Sequence, residues 1–373
     1  MTHVPTNWKR TLSFQPRIGE TYERWECVSD GQTLSFDVNI SHSKAMDTLA
    51  LKEKVIAEFG NNAEKIRKRG EYIFAKTALE RVMECPICSE NSESSRFQLS
   101  VYGGKYHECQ KCFHVFVIER PNLDAIHQFY ESNEEYQATY ADSTLLELRM
   151  DTVARPKLNW VLEAYHKQYD RYPTSLLDVG AGSGHMAQAA KERGLRVDAI
   201  EISRPGRDFA KSNFGIELQS VDFLRADIEH QEYDVVTFWG VIEHVPNPGA
   251  MLQKAVQHLK KNSGMVVAEV PRWHSLSSAI QKLYPEKIVR HLGPSEHIQF
   301  YSDSSLATNY VLSNLQPASA WYFGMDIYEA IVQFSHEYGA EPNGGTEYIR
   351  HFQPLLDSNR LSDFVVLAGV PLP

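Results

Sequence analysis

From residue 174 onward, short apolar runs alternate with longer segments whose apolar residues recur every three or four positions. The runs "SLLDVG" (175–180), "RVDAIEI" (196–202), "IELQSV" (216–221), "YDVVTFWG" (233–240) and "GMVVAEV" (264–270) read as strands, with "ASAWYFG" and "DFVVLAGV" as a sixth and seventh. Helical segments separate them, and one of these, "GHMAQAAKERG", closes on Gly194 as helices commonly do. Strands alternating with helices predict an α/β fold built on a parallel sheet.

Upstream the pattern differs. "SHSKAMDTLALKEKVIAEFG" and "NNAEKIRKRGEYIFAKTALERVM" show helical spacing and open on Ser and Asn, so residues 1–84 read as a partly helical region of unknown role. A cysteine-bearing module follows at 85–120, then a helical bridge at 121–173 opened by "PNLDAIHQFYESNEEY". The α/β domain occupies 174–373, with insertions at 271–300 and 324–361.

The stretch "LLDVGAGSGHMAQAAKERGLRVDAIEIS" (176–203) sets the chemistry. Glycine is needed in a strand-to-helix turn where φ is positive or a ligand meets the main chain, and the helix that follows points free N–H groups at that ligand. Gly180, Gly182 and Gly184 give G-x-G-x-G, whereas a dinucleotide fingerprint requires a glycine where His185 stands. "DVGAGSG" instead resembles the first motif of the class I S-adenosylmethionine-dependent methyltransferases. The resemblance implies a Rossmann-like, seven-stranded sheet with its last strand antiparallel. It also implies that Asp178 and Gly180 hold the amino-acid end of the cofactor while Gly182 and Gly184 line the turn. By the same resemblance Glu201 accepts bonds from the ribose hydroxyls, a task suited to a carboxylate's lone pairs. Asp222 and Phe223 stand where that family contacts adenine, and Trp239 and Gly240 face the cofactor.

Methyl transfer from a sulfonium needs alignment, and a base if the acceptor must lose a proton. Ligands of open α/β sheets sit at the carboxyl ends of the strands, which singles out His244 in "IEHV" and His297 in "GPSEHIQFYS". "IEHV" is similar to the quinone-pathway O-methyltransferases. "EVPRWHS...GPSEHIQFYS" resembles bacterial deoxysugar C-methyltransferases, in which a Tyr-x-Glu-His tetrad supplies the base and an insertion covers the acceptor. Glu296 and His297 are kept here, with Pro294 in the place of the tyrosine. The catalytic expectation is therefore His297, assisted by Glu296, with His244 beside the methyl donor.

Cys85, Cys88, Cys109 and Cys112 form two C-x2-C pairs twenty residues apart, the spacing of a tetrahedral zinc ribbon. A closed four-sulfur site leaves no open coordination position, so the zinc expected is structural. Cys27, alone in sequence, reads as a small buried hydrophobe. His107 and His114 read as packing or surface histidines.

Charge narrows the partners. The net charge of −10 and pI near 5.8 disfavour a broad nucleic-acid footprint. The one tight basic cluster, "KIRKRG" at 65–70, reads as a solvated helix face. No window approaches the roughly 18 apolar residues of a membrane span, and a cytoplasmic enzyme is expected. The acceptor expected is a small molecule, most simply a nucleotide-linked sugar or another biosynthetic intermediate. Two alternatives stay open: an RNA methyltransferase whose ribbon binds ribosomal or transfer RNA, and a catalytically silent S-adenosylmethionine-binding protein.

Overall fold

The computed structural model describes residues 3–12, 22–44, 51, 59–76, 79–122, 125, 142–225, 232–285, 292–339 and 345–373. The chain opens with three antiparallel strands, β1 (Thr6–Leu12), β2 (Tyr22–Ser29) and β3 (Gln32–His42). Asp30 and Gly31, at φ 54° and 72°, make the left-handed two-residue turn that matches the twist of the strands it joins. Trp25 and Cys27 of β2, with Phe36, Val38 and Ile40 of β3, are buried at every second position. Burial pushes the Cys27 thiol up to about 12, in keeping with the small hydrophobe expected.

Helix α1 (Phe59–Lys76) and strand β4 (Leu79–Arg81) lead into the cysteine module, whose strands are β5 (Arg96–Val101), β6 (Gly104–Glu108) and β7 (Val115–Val117). Strand β8 (Glu119–Pro121) returns to pair with β4. A helical turn at Leu146–Arg149 and a π-helical turn at Met150–Ala154 precede α2 (Arg155–Tyr169).

The alternating unit then runs β9 (Ser175–Val179), α3 (His185–Glu192), β10 (Arg196–Ile200), α4 (Arg204–Phe214), β11 (Val235–Trp239), α5 (Pro248–Gln257) and β12 (Met265–Pro271). It continues with α6 (Leu276–Leu283), β13 (Gln299–Phe300), α7 (Asp303–Leu312), β14 (Leu315–Phe323), α8 (Asp326–Tyr338), α9 (Gly345–Ser358) and β15 (Phe364–Pro371). Strands β9 and β12 are buried along their whole length, as strands covered on both faces must be, which is why they read as unbroken apolar runs.

The main sheet has nine strands in the order β1-β2-β3-β14-β15-β12-β11-β9-β10. Strands β10, β9, β11 and β12 are parallel, and β15 runs antiparallel to both β12 and β14. This is the class I arrangement, with two differences from the sequence expectation. "IELQSV" forms no strand: the backbone touches β10 at a single bridge, Ile200 to Gln219. Residues 1–84, read as a partly helical region, hold α1 but also the four strands β1 to β4, and β3 extends the sheet by pairing in parallel with β14. Charged and polar residues on the outer face confine the apolar ones to alternate positions, so β2 and β3 present no continuous apolar run of the kind that marks β9 and β12. Most of 41–60 and of 121–136 lies outside the described residues.

One buried acid fastens the sheet where β11 begins. The Asp234 side chain is fully buried and accepts from Lys260 Nζ at 2.8 Å, an Arg171 guanidinium N–H at 2.8 Å, Tyr165 O–H at 2.9 Å and the Thr174 backbone N–H at 2.8 Å. Burial opposes its ionisation, but Lys260 and Arg171 outweigh that and hold the carboxyl well below its usual range. A depressed pKa stabilises the fold above the unfolded value near 4, and the contribution is lost as pH falls through the folded value. Asp234→Asn leaves two partly exposed cations to water and the buried Tyr165 and Thr174 donors with a weaker acceptor, and is therefore expected to cost about 1–3 kcal/mol at pH 7. Urea unfolding checks this, and coincident curves for the two proteins at pH 7 would refute it.

Candidate active site

The glycine turn lies between β9 and α3. Gly180, Gly182 and Gly184 have φ of 74°, 55° and 78°, a region that side chains with a Cβ rarely enter. A Cβ on Gly180 would lie 2.5 Å from Val241 Cγ2, and one on Gly184 2.8 Å from the Ala210 Cβ, so these two also permit close packing. Gly182 faces open space. Its N–H donates to Glu201 Oε2 at 2.6 Å, and the Ser203 N–H donates to Oε1 at 2.6 Å. Glu201 thus ties the end of β10 to the turn and keeps lone pairs for a ligand.

The donors present fit S-adenosylmethionine. Asp178 Oδ2, Ser183 Oγ and Trp239 Nε1 are buried without a hydrogen-bond partner around the turn, as groups that face a ligand would be. Asp178 takes one bond from Thr237 Oγ1 at 2.8 Å. Burial, with Glu201 nearby, nevertheless pushes its carboxyl up to about 7, and an ammonium group would reverse that shift. Phe223 packs edge-on against Phe238 with centroids 5.9 Å apart, and Asp222 accepts from the Leu224 N–H at 2.9 Å.

Two residues here escaped the sequence reading. Lys157 of α2 sits 2.8 Å from the Glu269 carboxylate at the end of β12, with its Nζ 4.9 Å from the Trp239 ring centroid. Both are nearly buried, with side-chain exposures of 11% and 8%, and they put a cation beside Trp239. A lone lysine within "RPKLNWVLEAY" and a lone acid within "MVVAEV" were the available signals.

The second half of the site gathers the histidines. The rings of His244 and His297 lie 4.7 Å apart, and one atom each of Glu243, His244 and His297 fall within 4.8 Å of one another, so the trio could also hold a cation. Glu243 and His244 are buried. Burial pushes the Glu243 carboxyl up to about 8, and burial together with His297 holds the His244 ring well below its ordinary value. His244 Nδ1 lies 3.0 Å from the Glu296 carbonyl. A carbonyl only accepts, so Nδ1 carries the proton and Nε2 the lone pair. The Glu296 carboxylate is turned to Arg69 of α1, and its carbonyl, not its acid group, meets His244. "KIRKRG" thus divides: Arg67 and Lys68 pair with Glu64 on the solvated face, while Arg69 reaches inward. Pro294 is buried against Gly104 and Phe74, where any side chain on Gly104 would collide with it.

The cysteine module walls this half. All four cysteines are buried, with Sγ–Sγ distances of 3.5 Å for both Cys85–Cys112 and Cys88–Cys109. Zinc–sulfur bonds of about 2.3 Å place tetrahedral sulfurs about 3.8 Å apart, so the four thiols fit a zinc ion. Cys85 and Cys88 share one knuckle and Cys109 and Cys112 the other, closed by the Ser89 and Phe113 N–H groups bonding back to the Cys85 and Cys109 carbonyls at 3.0 Å, with φ of 55° and 59°. Strand β13 pairs with β7, joining the module's sheet to the segment after His297. The Tyr106 O–H also donates to the His297 carbonyl at 2.9 Å.

Residues 149–320 match the model of a methyltransferase domain family. Two ubiquinone biosynthesis O-methyltransferases are similar to the chain. That of Dechloromonas aromatica (strain RCB) is 25% identical over 199 residues, which is 51% of this chain and 79% of the relative. That of Rickettsia akari (strain Hartford) is 30% identical over 122 residues, 31% of this chain and 49% of the relative. Among solved structures, magnesium protoporphyrin IX methyltransferase of Synechocystis PCC 6803 aligns with a TM-score of 0.43 at 11% identity, covering 67% of this chain and all of the other. Among the described residues no helix is long and apolar enough to cross a membrane. Sheet order, glycine turn and domain match agree: the chain carries a class I methyltransferase domain with S-adenosylmethionine as its cofactor.

Proposed function

We propose that the protein methylates a hydroxyl oxygen of a small-molecule acceptor, with His244 and His297 at the acceptor. The observation that carries this is the histidine pair, formed by the loop after β11 and the segment before β13 and walled by the cysteine module. S-adenosylmethionine, when bound, supplies a methyl group on a sulfonium. The chain aligns the acceptor and takes its proton, and a neutral imidazole with its lone pair on Nε2 has the form this requires. The similar ubiquinone biosynthesis enzymes are O-methyltransferases by name, which favours oxygen over carbon. A nucleotide-linked sugar stays the second reading, favoured by Glu296 and His297 in sequence, although Arg69 engages the Glu296 carboxylate.

In this reading Asp178, the three turn glycines and Glu201 hold the cofactor, Asp222 and Phe223 stand at its base, and Lys157 meets its carboxylate beside Trp239 and Gly240. The test is transfer from methyl-labelled S-adenosylmethionine to 3,4-dihydroxybenzoate, to a nucleotide-sugar and to total RNA in parallel. Label in the phenol supports the proposal, label in the sugar installs the second reading, and label in RNA overturns both. On the accepted substrate, His244→Ala and His297→Ala are each expected to lower turnover about 10²–10⁴-fold with cofactor affinity unchanged. Wild-type turnover in both variants would remove the histidines from the mechanism.

A further inference from the structure

Gln299 occupies the first position of the two-residue strand β13 and is fully buried. It makes three bonds, two to the loop that carries His244 and one to the cysteine module. Its backbone N–H donates to the Glu243 carbonyl at 3.0 Å. Its side-chain Nε2 donates to the Val245 carbonyl at 3.1 Å. These are the two carbonyls that flank His244, so the loop is held on both sides of the imidazole. The remaining amide atom, Oε1, lies 2.7 Å from His114 Nε2. His114 is itself fully buried in the cysteine module, and its carbonyl accepts from the Cys109 N–H at 2.8 Å.

The chemistry fixes the direction of each bond. The Val245 carbonyl can only accept, so the amide nitrogen must face it and the amide oxygen must face His114, whose Nε2 then carries its proton. An amide is the one neutral side chain of this length that donates on one end and accepts on the other. We propose that Gln299 is a positioning residue for methyl transfer, transmitting the fold of the cysteine module to the loop that aims His244. This rests on the assignment of His244 to the acceptor made above.

Leucine matches glutamine in size and removes both side-chain bonds. In Gln299→Leu the His114 N–H and the Val245 carbonyl lose their partner, and the loop is free to turn the ring. The readout is the ¹⁵N spectrum of histidine-labelled full-length protein, with the His244 signals assigned by their loss in His244→Ala, alongside zinc content, cofactor affinity and turnover on the accepted substrate. The expected result is one zinc per chain and cofactor affinity within about twofold. The His244 signals should no longer report a single Nδ1–H tautomer, and turnover should fall about tenfold to a hundredfold with little change in acceptor KM, as a misplaced group produces.

Should Gln299→Leu lose zinc, Gln299→Glu keeps the acceptor for His114 and supplies a donor to Val245 only when its carboxyl is protonated. It should approach wild-type signals and turnover near pH 6 and depart from them near pH 8.5, a profile that a loss of packing would not give. Wild-type His244 signals in Gln299→Leu, or Gln299→Glu behaving alike at both pH values, would overturn the proposal. Wild-type turnover in His244→Ala together with disturbed His244 signals in Gln299→Leu would instead bring down the assignment of His244, and this role with it.

Discussion

Cys109→Ser is expected to release the metal and abolish most methyl transfer while leaving the cofactor half able to bind. Cys109 is buried within a four-sulfur cluster, and its N–H closes the knuckle on His114. A serine oxygen is a poorer and shorter ligand, and structural zinc in small modules contributes about 10–16 kcal/mol of apparent binding energy, so losing one thiolate undoes much of the module's fold. The damage does not stay there. Strand β13 borrows its partner from β7, and Tyr106 and His114 hold the His297 carbonyl and Gln299. Turnover should fall at least about a hundredfold, as expected when reacting groups are displaced by about an ångström. The glycine turn, on the far side of β11, makes none of these contacts. Zinc content, cofactor affinity and turnover measured together decide the matter. A metal-free Cys109→Ser protein with full turnover would show the module to be independent of the site.

Glu201→Ala is expected to have the opposite signature, with the metal retained and cofactor affinity lowered about a hundredfold. Both carboxylate oxygens accept short bonds from backbone N–H groups, one in the glycine turn and one at the start of α4. Alanine strands both donors and removes the acceptor assigned to the ribose. Bonds to a charged group contribute about 1.5–3 kcal/mol each, so a net loss near 2.7 kcal/mol, or two decades in Kd, follows from little more than one of them. Burial raises the Glu201 carboxyl above its ordinary value, opposed by those same N–H groups. Calorimetric titration with S-adenosylhomocysteine gives the number directly. Binding as tight as wild type would mean that Glu201 only braces the turn.

What the sequence disclosed follows a physical rule. Gly180, Gly182 and Gly184 were legible because positive φ and close approach restrict a position to one residue type. Cys85, Cys88, Cys109 and Cys112 were legible because a metal cage imposes spacing. Lys157, Glu269 and Arg69 were not, since each reaches its place through tertiary packing from a distant element: α2 and α1 bring their cations 112 and 227 residues along the chain to their acids. Gln299 was likewise silent, because a buried amide has no spacing rule and its partners come from two distant segments, the loop after β11 and the cysteine module. The missed hairpin at β2 and β3 is a different case, for Asp30-Gly31 is a strong local turn signal that flanking charges made easy to pass over.

The placement of β3 has a consequence for synthesis on the ribosome. Its partner β14 lies about 280 residues downstream, and Trp8 Nε1 reaches Thr308 Oγ1 at 2.9 Å across a separation of 300 residues. At roughly 5–20 residues per second, the first strands wait on the order of a quarter of a minute to a minute before the edge they complete has been made. For that time the nascent hairpin has an unpaired edge, open to a chaperone or to another chain. Once β14 emerges the same pairing joins segments about 280 residues apart, so this side of the sheet closes only after the whole alternating unit between them has been translated.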